Sequence, residues 1–331
     1  MKKMIAYILL MLIIPLIIGI GFHILHPEIP IGWENGMEAH YMNREILLEI
    51  HGLYKSIDVE EYVLGVMPTV ISPEYEQETL KTQAVLIRTN VLKEMEEKNT
   101  KDGADLSYEY LSKEDREQLW GKRHFDKWEL KFESAVNSTS GKVIKKEGSL
   151  IMAAYHEVSI GKTASAEEIL DEDISYLQSV ESSHDVEAKN YMNLIEYTYS
   201  EIKGILMSNN VDELNDIENN INTENDNINE NDDSKIIISI DESTDNGFVK
   251  KASVDGTIYT GEEMMSLFEL PSDNFYVEEV SEGVRFVCLG KGNCLGLSQY
   301  GANYMACEGK SMDEIINHFY QEVSIEQAVS N

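Results

Sequence analysis

The chain has 331 residues carrying 27 basic and 60 acidic side chains, a formal charge of −33. So acidic a chain repels a polyanion, which excludes nucleic-acid binding as a function class. Its hydrophobic share of 42% is that of a folded protein. Its three cysteines, Cys288, Cys294 and Cys307, form neither a closed disulfide framework nor a CxxC zinc pattern.

Lys2 and Lys3 precede residues 4–25, a run without formal charge. A helix of that length spans about 33 Å, enough for a hydrocarbon core of about 30 Å. Glu28, Glu34 and Glu38 follow it, so positive charge stays inside and the bulk of the chain is expected outside the cytoplasm. Gly19-Ile20-Gly21 offers a weak cleavage site, but the run is long for a signal peptide, and an uncleaved single-pass anchor in the cell membrane is expected. Residues 26–37 read as a Pro- and Gly-broken stalk, and 38–331 as one extracytoplasmic domain.

Residues 46–50 and 54–57 read as strands around His51-Gly52. A helix is expected to open at Ser72-Pro73, with Glu74, Glu76 and Glu78 in its first turns, as the helix dipole favours. Leu80, Ala84, Ile87, Val91 and Met95 then recur on one helical face. A second helix over 124–137 would turn Trp128, Phe132, Ala135 and Val136 inward and stop at Gly141. Residues 143–155 carry a hairpin signal around Lys145-Lys146-Glu147-Gly148. Residues 209–233 hold ten asparagines and nine acids, too little apolar surface to offset chain entropy, and read as a disordered acidic insert without calcium-loop spacing. Strands are expected at 236–239, 248–253, 257–260 and 284–288, and a last helix opens on the capping box Ser311-Met312-Asp313-Glu314. Helices and antiparallel hairpins mix without βαβ alternation, so the fold class is α+β, preceded by a single transmembrane helix.

Four strings in order carry a family resemblance: residues 61–90 (EYVLGVMPTVISPEYEQETLKTQAVLIRTN), 135–169, 259–275 and 290–320. Together they resemble the stage II sporulation protein D / LytB amidase-enhancer family. The resemblance implies a lytic transglycosylase acting on peptidoglycan glycan strands stripped of stem peptides, with a cell-wall amidase as partner; no cofactor is expected. In catalytic members one glutamate protonates the glycosidic oxygen and then helps the muramic acid 6-hydroxyl close the anhydro ring, which calls for a raised pKa.

Counted without gaps from Gly65-Val66 to Leu80-Lys81, that glutamate position falls on Val70. Valine has no proton to transfer, and losing general acid–base catalysis typically costs about 10²–10⁴ in rate. In the fourth string a family histidine position falls on Asn293. Two main readings therefore stand: a degenerate member that binds glycan or scaffolds an amidase, and an active enzyme using another acid such as Glu74, one helical turn beyond Val70 if helix continues there; a surface interaction module using the acidic insert is a third. His156 matches a family histidine and could orient a sugar hydroxyl or shuttle a proton, or be a hydrogen-bonded structural residue. Ser159 and Thr163 lie in a polar loop suited to sugar hydroxyls, Gln83 and Arg88 are polar braces or substrate contacts, and Gln299 with Tyr300 offers an amide beside an aromatic face. Cys288, Cys294 and His156 could in principle hold zinc, but C-x₅-C is not a zinc spacing, and no metal is assigned.

Overall fold

A computed structural model describes residues 45–217 and 235–328. The expected anchor 4–25 and stalk 26–37 lie outside them, and among the described residues no helix is long and apolar enough to cross a membrane.

Strands β1 (Glu45–Ile50) and β2 (Leu53–Asp58) pair antiparallel, with His51 and Gly52 both at positive φ in the turn. The chain then enters α1 (Val59–Val70), capped by Asp58, whose carboxylate accepts from the Glu60 N–H at 2.8 Å. The sequence reading places no helix here. The structure shows why: Tyr62 through Met67 are buried without interruption, so the pattern has no polar side to reveal its period. Gly65 is required by contact, since a Cβ there would meet the Tyr110 ring at 2.2 Å and the Leu111 carbonyl at 2.7 Å.

Helix α2 (Gln77–Lys98) starts five residues later than the expected Ser72 cap. Residues 72–75 are instead a turn held down from outside: Lys131 Nζ donates to the Pro73 carbonyl at 2.8 Å and to that of Tyr75. The expected stripe does face the core, with Leu80, Ala84, Ile87 and Val91 fully buried. Val85 and Leu86, on the other side of the helix, are fully buried too and pack into a second cluster with Ile144, Ile315 and Phe319. Helix α2 is thus the shared wall of two cores.

Helix α3 (Lys113–Ser138) begins eleven residues before the expected 124, on a Ser112/Asp115 capping box, and kinks at Gly121 (φ 67°, ψ 156°). Phe132, Ala135 and Val136 are buried as expected, but Trp128 is only half-buried, stacked on His124. The hairpin of β3 (Lys142–Lys146) and β4 (Ser149–Leu150) turns through Glu147 and Gly148, both at positive φ as a two-residue hairpin turn demands. Beyond it come β5 (Tyr155–His156), α4 (Ala166–Leu170), β6 (Met192–Thr198) and α5 (Tyr199–Ile217). Helix α5 runs nine residues into the segment read as unstructured from 209; residues 218–233 of that segment lie outside the described residues.

Strands β7 (Ile238–Ser243), β8 (Val249–Val254) and β9 (Thr257–Tyr259) form an antiparallel sheet, and α6 (Gly261–Leu267) opens on a Thr260/Glu263 capping box. Strands β10 (Phe275–Val280) and β11 (Gly283–Leu289) form a second sheet with β6. A third core around Phe268, Phe275 and Phe286 lies on the faces of these two sheets. Strand β12 (Leu297–Ser298) pairs parallel with β5 and runs into α7 (Gln299–Cys307); α8 (Met312–Phe319) has the expected Ser311/Glu314 box, and β13 (Ser324–Gln327) closes on β3. The architecture is α+β with mostly antiparallel sheets.

Candidate functional site

Three chain segments converge at the C-terminal end of α1. Val70 is its last residue, and Ile71 after it is extended. The Val70 carbonyl accepts the Gln299 amide at 2.8 Å, and the same Gln299 Nε2 donates to Gln83 Oε1 at 3.1 Å. Helix α1, helix α2 and the first turn of α7 are thereby joined through two amide side chains. Gln83 is fully buried, and its own Nε2 has no hydrogen-bond partner among the described residues.

His156 stands beside this junction because β5 and β12 pair His156 with Ser298. It is 4% exposed, its Nδ1 lies 3.1 Å from the Leu295 carbonyl, and its Nε2 is buried without a partner among the described residues. A carbonyl only accepts, so Nδ1 carries the proton and Nε2 is the bare acceptor. Burial pulls the imidazole down to about 4, more than the Leu295 carbonyl and the Asp185 carboxylate pull it back. At neutral pH it is an uncharged acceptor.

Asp185, which the sequence reading did not single out, organises the ground beneath. It is fully buried and accepts from Ser298 Oγ at 2.6 Å, Ser182 Oγ at 2.8 Å and the Ser159 N–H at 2.7 Å. Ser298 is also the N-cap of α7. One carboxylate therefore fixes the helix turn that presents Gln299 and Tyr300. Nothing about an Asp after Ser-Ser-His marks it in sequence; its partners lie up to 113 residues away.

On the open side, Glu157 pairs with Lys291 at 2.6 Å and accepts from the Asn190 amide, and the Tyr300 N–H donates to the Glu157 carbonyl at 3.0 Å. Tyr75 is half-buried nearby: burial, then the charges of Glu157 and Asp185, push its hydroxyl up to about 12.

The remaining sequence candidates divide. Arg88 is a brace: fully buried, it is bound by both carboxylate oxygens of Glu60 and donates to the Lys142 carbonyl at 3.1 Å. It has no surface to offer a substrate. Ser159 and Thr163 are buried as well; Ser159 serves Asp185, and Thr163 accepts from the Val180 N–H at 2.9 Å, so the polar loop is closed by its own bonds. Glu74 is exposed in the 72–75 turn with its N–H on Ser72 Oγ at 3.2 Å. The one-turn helical relation to Val70 does not hold, because helix stops at Val70.

Asn293, whose Oδ1 accepts from the Leu295 N–H at 3.1 Å, lines a pocket of about 640 Å³ with Tyr155, Glu168, Glu262 and Asp273. Burial, reinforced by Glu168 and Glu262, raises the Asp273 carboxyl to about 6. Cys288 and Cys294 are buried, burial pushes both thiols up, and no group of three metal-ligating side chains occurs among the described residues.

Residues 51–145, from the β1–β2 turn into β3, match the family model described as stage II sporulation protein. The chain is 27% identical over 285 residues to stage II sporulation protein D of Bacillus subtilis (strain 168), covering 83% of this chain and 76% of that one. It is 28% identical over 287 residues to the protein of that name from Bacillus amyloliquefaciens, with the same coverage. Over most of its described length the chain is thus similar to the stage II sporulation protein D family, as a divergent relative. A protein of Brachyspira hyodysenteriae is 25% identical over 273 residues, 81% of this chain and 67% of that one. The family-model match contains Val70, Gln83 and Arg88; His156, Asp185, Gln299 and Tyr300 lie beyond it.

Proposed function

We propose that this chain works at the cell wall in sporulation-type remodelling and holds peptidoglycan glycan strands without cutting them. The observation that carries the reading is the chemistry at the end of α1. The position that the family resemblance gives to a proton-donating glutamate is Val70; its carbonyl is bound by the Gln299 amide, which also meets Gln83, and a neutral imidazole, His156, pairs with the residue before Gln299. Such groups offer hydrogen bonds to hydroxyls and acetamides but no proton for a glycosidic oxygen. The charge-free segment 4–25 supports anchoring in the cell membrane with the bulk of the chain outside, and a cell-wall amidase is the protein partner that the family resemblance supports.

The test incubates the purified full-length chain in detergent with insoluble denuded glycan strands. The expected result is co-sedimentation with the strands. Val70→Glu should in addition release anhydromuramic ends, because it returns a carboxyl to a site whose amide scaffold is in place. Failure of the unaltered chain to bind would overturn the reading. Cutting by the unaltered chain that Glu74→Gln abolishes would replace it with the active-enzyme alternative.

A further inference from the structure

Helix α3 breaks at Gly121, where φ is 67° and ψ 156°, backbone that glycine adopts freely and a side chain strains. The break folds the two pieces of the helix onto one aromatic cluster. Trp120, just before it, has its ring centroid 6.2 Å from that of Phe125, 5.8 Å from Trp128 and 5.5 Å from Phe132. With these rings drawn together, other side chains are turned out. Arg123, Lys127 and Leu130 recur at four and three residues, which is one helical face, and all three are exposed, Leu130 at 65%. Lys122 is exposed beside them, and Leu119, on the piece before the break, is 58% exposed. Asp126 is the one acid between Lys122 and Lys127. Lys122, Arg123 and Lys127 have no ion-pair partner among the described residues. In a chain of charge −33 this is a ridge of unpaired positive charge edged with leucines.

Resting on the membrane-anchoring reading above, we propose that this ridge of α3 is a second membrane contact, which lays the domain on an anionic lipid surface through Lys122, Arg123 and Lys127 with Leu119 and Leu130 entering the headgroup layer. Charge complementarity sets the sign of the partner: each lysine or arginine near an anionic bilayer contributes about a fivefold factor in binding. The apolar edge sets its kind. Leucines gain from the boundary between headgroups and acyl chains, and gain little from a polar polyanion. The acidic bulk of the molecule does not cancel the attraction, because at physiological salt charges more than about 8 Å apart are largely screened. Connectivity helps as well. Residues 26–44 join the charge-free segment 4–25 to β1, and a linker of that length reaches at most about 68 Å. The β1–β2 turn lies against α3, with His51 Nε2 3.1 Å from Asp115 Oδ1. A bilayer that holds segment 4–25 is therefore tethered to the domain bearing the ridge, and a tethered contact needs little affinity of its own.

The test reconstitutes the full-length chain into nanodiscs of zwitterionic phosphatidylcholine, with or without anionic phosphatidylglycerol, and reads the acetylation rate of each lysine by mass spectrometry. Lys122 and Lys127 should react roughly fivefold more slowly in the anionic discs. The difference should vanish at 1 M salt, where the screening length is about 3 Å. Lys251, exposed on β8, should react alike in both. Arg123→Glu should reduce the difference at Lys122 and Lys127 to less than about twofold without moving the melting temperature. Equal rates in the two kinds of disc, from a chain that co-purifies with them, would overturn the lipid contact and leave the anchor standing. A chain that co-purifies with neither would overturn the anchoring reading and this proposal with it. Slow reaction in both compositions, relieved by salt, would show that an acidic polypeptide segment covers the ridge, and would overturn the lipid assignment.

Discussion

His156 and Asp273 push the pH dependence of stability in opposite directions. The imidazole, near 4 when folded, binds fewer protons than the unfolded chain between about 4 and 6.5, so its contribution to stability rises with pH across that window. The Asp273 carboxyl, near 6 when folded against 3.8, binds more protons than the unfolded chain, so its contribution falls as pH rises from about 4 to 6. Each is worth at most about 3 kcal/mol, and together they largely cancel. Urea unfolding between pH 4 and 6.5 should therefore be nearly flat for the parent in these two terms. Relative to the parent, His156→Gln should lose stability with rising pH and Asp273→Asn should gain it. The Arg88–Glu60 pair gives a different residue-scale prediction. Glu60 also accepts from the Gly141 N–H at 2.8 Å, so Arg88→Ala would strand a buried carboxylate. The expected cost is roughly 3–5 kcal/mol in urea unfolding, with glycan affinity of the folded fraction unchanged. A loss of affinity without loss of stability would restore Arg88 as a substrate contact.

The first turn of α7 is where structure and site meet among the elements. Ser298 caps it, with its Oγ 3.1 Å from the Gly301 N–H, while donating to Asp185. Ser298→Ala removes the cap and one of the bonds to a buried carboxylate, an expected loss of about 1–2 kcal/mol by urea unfolding. Because Gln299 and Tyr300 follow immediately, strand binding should weaken as well; unchanged binding would separate the cap from the site. The elements legible in sequence were those with a local signature: the Glu147-Gly148 hairpin, the α8 capping box and the stripe of α2. Helix α1 was not legible because burial on all sides erases periodicity, and the early start of α3 was hidden by the break at Gly121. The late start of α2 depends on Lys131, more than fifty residues away, holding the preceding turn.

At the scale of the whole molecule, one helix shared by two cores and one buried carboxylate shared by three segments brace the region around the end of α1. His156, Gln299 and Tyr300 could be found from motif resemblance, and the structure brings them together at the end of α1. Asp185, Glu157 and Tyr75 could not, since their roles arise only when distant segments meet. Arg88, Ser159 and Thr163 look like ligand contacts in sequence and are instead spent on the protein's own polar groups. The reading proposed above is that the end of α1 holds a glycan strand but lacks the acid to break it. The most direct measurement is a mass-spectrometric count of anhydromuramic termini after prolonged incubation of denuded strands with the unaltered full-length chain, run beside Val70→Glu. The account predicts no new termini from the former and their appearance with the latter; termini accumulating with the unaltered chain would contradict it.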